Sequence, residues 1–192
     1  MALPEEPAAR HRAVAGRFTD LVRGTADWSS PAPVTDWTAL DVVEHLVAWL
    51  PAFVAGGSDR QWTPGPPARQ DPLGAWQAQA DGVQGLLDDP AAAASPFNHP
   101  RLPPQDLGTA ITRFYTADVF MHSWDLARAT AQDDGLDAET CAQMLAGMLL
   151  MEDSMRSSGQ YGPAHPVAPD APPAARLMAF VGRDPAWAPP VA

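Results

Sequence analysis

The hydrophobic pattern is helical almost throughout the chain. Val14, Phe18, Leu21 and Val22 recur at helical spacing and predict a first helix from about Pro7 to Ala26. A break follows at Ser29-Ser30-Pro31-Ala32-Pro33. Thr38 and Asp41 then form a capping box: the Thr38 oxygen can accept from a free N–H of the first turn, and Asp41 suits the positive helix end. Leu40, Val43, Leu46, Val47 and Leu50 continue this second helix, which Pro51 should kink and Gly56-Gly57 end. Residues 58–70 read as a loop. Asp71-Pro72 is a cap followed by a first-turn proline, and Leu73, Trp76, Ala80, Val83 and Leu87 mark a third helix that Pro90 stops. Residues 90–106 read as a long connection. A fourth helix starts near Asp106 with the stripe Ile111, Tyr115, Asp118, His122, Asp125 and Ala129. A fifth runs from about Asp137 through Cys141, Met144, Leu145, Met148 and Leu149 to a C-cap at Gly159.

The last stretch differs. Residues 160–175 are proline-rich and read as extended, and Arg176 to Val181 form one or two helical turns closed by Gly182. No strand pattern competes, and there is no internal repeat. The expected architecture is all-α: a helix bundle over 1–159 with a C-terminal extension, 160–192, packed on it as part of a single domain.

Composition narrows the function classes. The 192 residues carry 12 basic and 23 acidic side chains, a formal charge of −11. Such a surface repels phosphate backbones and anionic lipid heads, so nucleic-acid and membrane binding are not expected. All 12 basic residues are Arg, which excludes a Lys Schiff base and a P-loop lysine. The single Cys141 excludes an internal disulfide and a Cys-based zinc cage, and reads as buried packing. No segment approaches the roughly 18 uninterrupted apolar residues of a membrane helix, and Met1 to Arg12 is polar and acidic without a signal-peptide core. A cytoplasmic protein is expected.

The fourth helix poses the chemical question, because its inward stripe holds Asp118, His122 and Asp125. Buried carboxylates need partners: a cation, a hydrogen-bond network or a metal. Asp118 and His122 are four apart and project from one face. His45 lies mid-helix on the same face as Val42 and Trp49 and is the best candidate for a third ligand. Two histidines and a carboxylate would leave open positions, the pattern of a catalytic metal site; the competing reading is a hydrogen-bonded Asp–His pair. Asp125 orients a ligand's second nitrogen, acts as a further ligand or accepts a bond from Arg128, and the salt bridge with Arg128 is the leading reading. Glu44 diverges from its neighbour His45 by about 100° and reads as a solvated charge. His99 and His165 lie in proline-rich loops and read as solvated, while His11 is open between core and surface. Tyr115 and the methionines Met144, Met148, Met151 and Met155 are candidate pocket residues, with ordinary core the competing reading.

Three blocks then resemble a known family. Trp37-Thr38-Ala39-Leu40-Asp41-Val42-Val43-Glu44-His45-Leu46 resembles the second-helix motif of actinobacterial proteins related to mycothiol-dependent maleylpyruvate isomerase, within the wider DinB/YfiT-like superfamily. Asp118-Val119-Phe120-Met121-His122-Ser123-Trp124-Asp125-Leu126-Ala127-Arg128-Ala129-Thr130 resembles its fourth-helix motif. Tyr161-Gly162-Pro163 with Arg176 to Pro185 is similar to the tail of an actinobacterial metal-binding subgroup. The resemblance implies a DinB-like four-helix bundle core with a divalent metal, commonly Zn²⁺, with Ni²⁺ an alternative, held by His45, Asp118 and His122. Asp118 stands where relatives carry a third histidine or, in the isomerase, Glu.

It also implies a low-molecular-weight thiol such as mycothiol as cosubstrate and a small-molecule electrophile as its acceptor. The isomerase carries a separate C-terminal domain, whereas 33 residues follow Gly159 here, so maleylpyruvate isomerisation itself is not the expected activity. The leading expectation is a thiol transferase or thiol-assisted isomerase. Asp125 and Arg128 would support the ligands, and Tyr115, Trp124, Met148 and Arg183 would shape the substrate pocket, Arg183 at its rim. A hydrolase or lyase using metal-activated water, and a non-catalytic metal-braced binding protein, are the alternatives. Apolar helix faces left exposed would suit a homodimer.

Overall fold

The computed structural model describes residues 2–189 of the chain; the first residue and the last three of the expected C-terminal extension lie outside the described residues. Nine α-helices appear in the order α1 (Pro7–Gly24), α2 (Ala39–Ala55), α3 (Pro72–Asp88), α4 (Pro90–Ala93), α5 (Leu107–Ala110), α6 (Ala117–Ala129), α7 (Ala138–Leu149), α8 (Glu152–Ser157) and α9 (Pro173–Phe180) among the described residues. Four of them form the bundle: α1 packs on α3 and α6, and α2 packs on the same two helices. Thus α2 and α6 are neighbours, and the side chains of the candidate centre lie between them. The architecture is the expected all-α, DinB-like four-helix core. Among the described residues no helix is long and apolar enough to cross a membrane.

Capping residues fix where the bundle helices begin. Glu6 accepts from the backbone N–H groups of Ala8 and Ala9 at 2.9 and 2.7 Å. Thr38 and Asp41 make the reciprocal capping box of α2, and Asp71 caps α3 ahead of Pro72. The core is filled by Phe18 and Leu21 of α1, Leu46 and Leu50 of α2, Trp76 and Val83 of α3, and Val119 and Leu126 of α6, all buried. Each such side chain contributes about 1.5–3 kcal/mol by leaving water. Phe18 and Trp76 meet at 4.5 Å between ring centroids, and the Trp76 indole N–H is satisfied by Thr19 Oγ1 at 2.8 Å.

Three local features depart from the sequence pattern. The connection after α3 contains α4 and a two-residue antiparallel pair, β1 (Pro96–Phe97) with β2 (Gln105–Asp106). It docks because Phe97 is fully buried against Phe53, at 5.0 Å, and over Gly57, where a Cβ would come within 2.6 Å of the Phe97 ring. Between α5 and α6, Ile111–Thr116 is a π-helical segment, so the predicted fourth helix is continuous but locally widened. The predicted fifth helix breaks at Leu150-Met151. The separate α8 follows, and Gly159, at φ +73°, comes one residue after its C-cap Ser158.

Candidate metal centre

The α2 capping box fixes the register from which His45 and Trp49 project toward α6 at four-residue steps. Thr38 N–H donates to Asp41 Oδ2 at 2.8 Å, and Arg69 also donates to Asp41, at 2.9 Å. On the other side, Asp118 stands in the first turn of α6, directly after the π segment, with His122 one turn on. A π bulge adds a residue to its turn and rotates the succeeding turns of the helix, a geometry recurrent at functional sites.

The structure brings His45, Asp118 and His122 together, each offering one ligand atom with all three within 4.8 Å of one another. His45 Nε2 is 3.1 Å from Asp118 Oδ2, and His122 Nε2 is 3.5 Å from Asp118 Oδ1. A tetrahedral ion with bonds of about 2.0–2.1 Å separates its ligand atoms by about 3.3–3.4 Å, so the two observed separations bracket what such an ion requires. The donor set suits zinc and other borderline divalent metals. The His122 side chain is 5% exposed, but Asp118 is 20% and His45 33% exposed, so the cluster is open on the His45 side.

Neighbours hold each donor in place. The Trp49 indole donates to Asp118 Oδ2 at 3.1 Å. The Trp37 ring stacks on His122 at 5.7 Å and lies 5.1 Å from His45, walling one side with apolar surface. His122 Nδ1 lies 2.8 Å from Asp125 Oδ2, with the carboxylate off the ideal N–H direction. Burial alone would raise the Asp118 carboxyl, but the neighbouring His122 and His45 and the Trp49 bond together hold it below the usual carboxylate range. Asp125 is fully buried, and there too desolvation is outweighed, by His122 and Arg183.

Other expected site residues fall elsewhere. Asp125 does not pair with Arg128. It is gripped by Arg183, whose Nε and Nη2 donate to its two oxygens at 3.3 and 2.9 Å, while exposed Arg128 lies over the Trp124 ring at 5.2 Å. Arg183 is therefore a mostly buried anchor rather than a rim residue. Trp124 is 2% exposed and packs as core. Tyr115 is fully buried, edge-on to Trp49 at 5.7 Å, and burial pushes its phenol pKa up. Met148 lines a groove of about 430 Å³ with Arg10, Phe120 and Met144, and this groove includes none of the three clustered residues. The cause is the position of α7, which packs on α9 rather than on α2. Glu44 is tied to Arg69 at 2.5 Å, His11 is fully buried, His99 stacks on Phe97, and His165 is exposed.

Sequence reasoning missed Trp37 and Trp49 as site residues. Their signals were present: Trp37 immediately precedes the α2 cap, and Trp49 stands one turn after His45.

The sequence profile of the mycothiol maleylpyruvate isomerase N-terminal domain matches residues 11–127. Two relatives from Mycobacterium tuberculosis, one in strain CDC 1551 / Oshkosh and one in strain ATCC 25618 / H37Rv, each described as an uncharacterized protein, are 32% identical over 189 residues. The match covers 93% of this chain and 98% of each relative. No solved structure matches the chain significantly.

Proposed function

The chain belongs to the mycothiol maleylpyruvate isomerase N-terminal domain family, and from that premise and the His45–Asp118–His122 cluster we propose a metal-dependent thiol transferase or thiol-assisted isomerase acting on a small electrophilic metabolite. The observation that carries the reading is the convergence of two imidazoles and one carboxylate from two helices, with the carboxylate oxygens 3.1 and 3.5 Å from the two imidazole nitrogens. A divalent ion such as Zn²⁺ or Ni²⁺ held by these residues would lower the pKa of a thiol ligand, so that the nucleophilic thiolate exists at neutral pH.

The chain's own residues prepare the rest. Asp125 faces the second nitrogen of His122 and directs Nε2 into the cluster. Trp49 holds one Asp118 oxygen, and Trp37 covers both imidazoles and limits water on that side. The partly exposed His45 side leaves room for the thiol and its acceptor. The protein supplies no nucleophilic sulfur of its own, since Cys141 is buried and its thiol is pushed up to about 11, by burial first and then by Asp134 and Asp137. A low-molecular-weight thiol of the mycothiol type fills that role, and such thiols are kept reduced in the cytoplasm.

The test is a conjugation assay with zinc-loaded protein, mycothiol and a panel of small electrophiles, following thiol consumption. Acceleration by wild type that disappears in His45→Ala and His122→Ala is expected. A protein that neither binds mycothiol nor accelerates conjugation of any electrophile in the panel would overturn the thiol reading.

A further inference from the structure

We propose that the C-terminal segment is a clip that sets the metal affinity of the cluster, with Arg183 as a positioning residue that acts on His122 through Asp125. The proposal rests on the reading of the cluster as a metal site and adds what controls it.

The contacts form an unbroken chain. The clip is seated by Leu177, Met178 and Val181, all buried. The Arg156 guanidinium on α8 ties its two ends together, donating to the Gly162 carbonyl and, at 2.7 Å, to the Phe180 carbonyl, while lying 4.8 Å over the Phe180 ring. Where the ends meet, Gly182 adopts φ +91°, and a Cβ there would lie 2.9 Å from Gly162 Cα. Only glycine meets both demands at low cost. The Arg183 N–H then donates to the Met178 carbonyl at 2.9 Å and its side chain turns inward onto Asp125.

The Arg183 fork contacts both Asp125 oxygens, which fixes the plane of that carboxylate. Oδ2 is shared: it is 2.9 Å from Arg183 Nη2 and 2.8 Å from His122 Nδ1. That oxygen lies against Nδ1, though off the N–H direction, so the carboxylate constrains the imidazole by contact and charge, and with it the direction of Nε2. A buried ion pair is a weak source of stability because both charges give up hydration. Stability alone does not explain a fully buried Asp125 placed against the far nitrogen of a ligand histidine. The same clip gives the paired tail motif its purpose: Gly162 and Gly182 permit the approach that aims Arg183.

The test uses the full chain and Zn²⁺ competition against a chromophoric chelator, with the visible spectrum of the Co²⁺-loaded protein as a second readout. Arg183→Gln is expected to weaken Zn²⁺ binding by about 10–100-fold and to alter the Co²⁺ spectrum. Arg183→Lys, which keeps the charge but not the fork, recovers part of the affinity. Wild-type affinity and spectrum in Arg183→Gln, with only a lower melting temperature, would overturn the proposal. Because a variant can fail to fold, wild-type hydrogen exchange supplies an independent arm: coupling is reciprocal, so Zn²⁺ slows exchange at the Val181, Gly182 and Arg183 amides as well as in α2 and α6. Protection confined to α2 and α6 would also overturn it. If wild type takes up neither Zn²⁺ nor Co²⁺, the metal reading itself fails, an outcome separate from any effect of Arg183.

Discussion

Lowering the pH from 7 to 4 should destabilise the protein through His11, a buried residue of α1. His11 is fully buried, its Nδ1 lies 3.0 Å from Thr116 Oγ1, and its Nε2 has no hydrogen-bond partner among the described residues. Burial, and then the neighbouring Arg12 charge, lower its pKa from 6.5 to about 4, against a smaller opposing pull from Asp88. The folded state therefore resists a proton that the unfolded chain accepts near pH 6.5. This contribution to stability is fully present above that value, is lost as pH falls from 6.5 towards 4, and levels off below. At 1.36 kcal/mol for each pKa unit the loss is about 3 kcal/mol, a large share of the roughly 5–15 kcal/mol that holds a domain folded. Urea denaturation across this range, in wild type and in His11→Gln, isolates the effect because the carboxylates titrate in both. The wild-type advantage should shrink by about 3 kcal/mol between pH 7 and pH 4. Parallel stability curves for the two proteins would show that His11 accepts a proton in the folded state as readily as in the unfolded chain.

Two substitutions test the site's surroundings. Trp49→Phe keeps the ring but removes the donor 3.1 Å from Asp118 Oδ2; Zn²⁺ affinity should fall by about tenfold in chelator competition, and unchanged affinity would show that Asp118 needs no such bond. Cys141→Ala should retain thiol-transfer activity and metal content, at about 1 kcal/mol of stability by chemical denaturation; loss of turnover in a folded variant would mean that Cys141 does chemistry.

Much of the fold is written in local signals. The Thr38/Asp41 box, the Asp71-Pro72 start and the apolar stripes of α1, α2 and α3 each act over one or two turns, so periodicity and capping chemistry suffice to place them. The π segment is not legible in this way, because Ile111–Thr116 has the composition of an ordinary helix and the extra residue in the turn depends on tertiary packing. Nor is the break at Leu150-Met151, where neither glycine nor proline interrupts the pattern. At the site, the four-residue spacing of Asp118 and His122 put both on one helix face, and the pattern also nominated His45. The partner of Asp125 was misread because Arg128 is close in sequence, whereas Arg183 lies 58 residues away and is delivered by the folding back of the C-terminal segment. Met148 was misassigned for a similar reason: the stripe shows that α7 packs, not against which neighbour.

The central claim is that His45, Asp118 and His122 hold one divalent metal ion. Elemental mass spectrometry of the untagged protein, wild type beside His122→Ala, tests it most directly. Near-stoichiometric zinc or nickel in the wild type, lost in His122→Ala, is the predicted result. Wild-type protein that carries no metal, even after divalent ions are added back and excess is removed, would contradict it and leave the three side chains as a hydrogen-bonded network within the bundle.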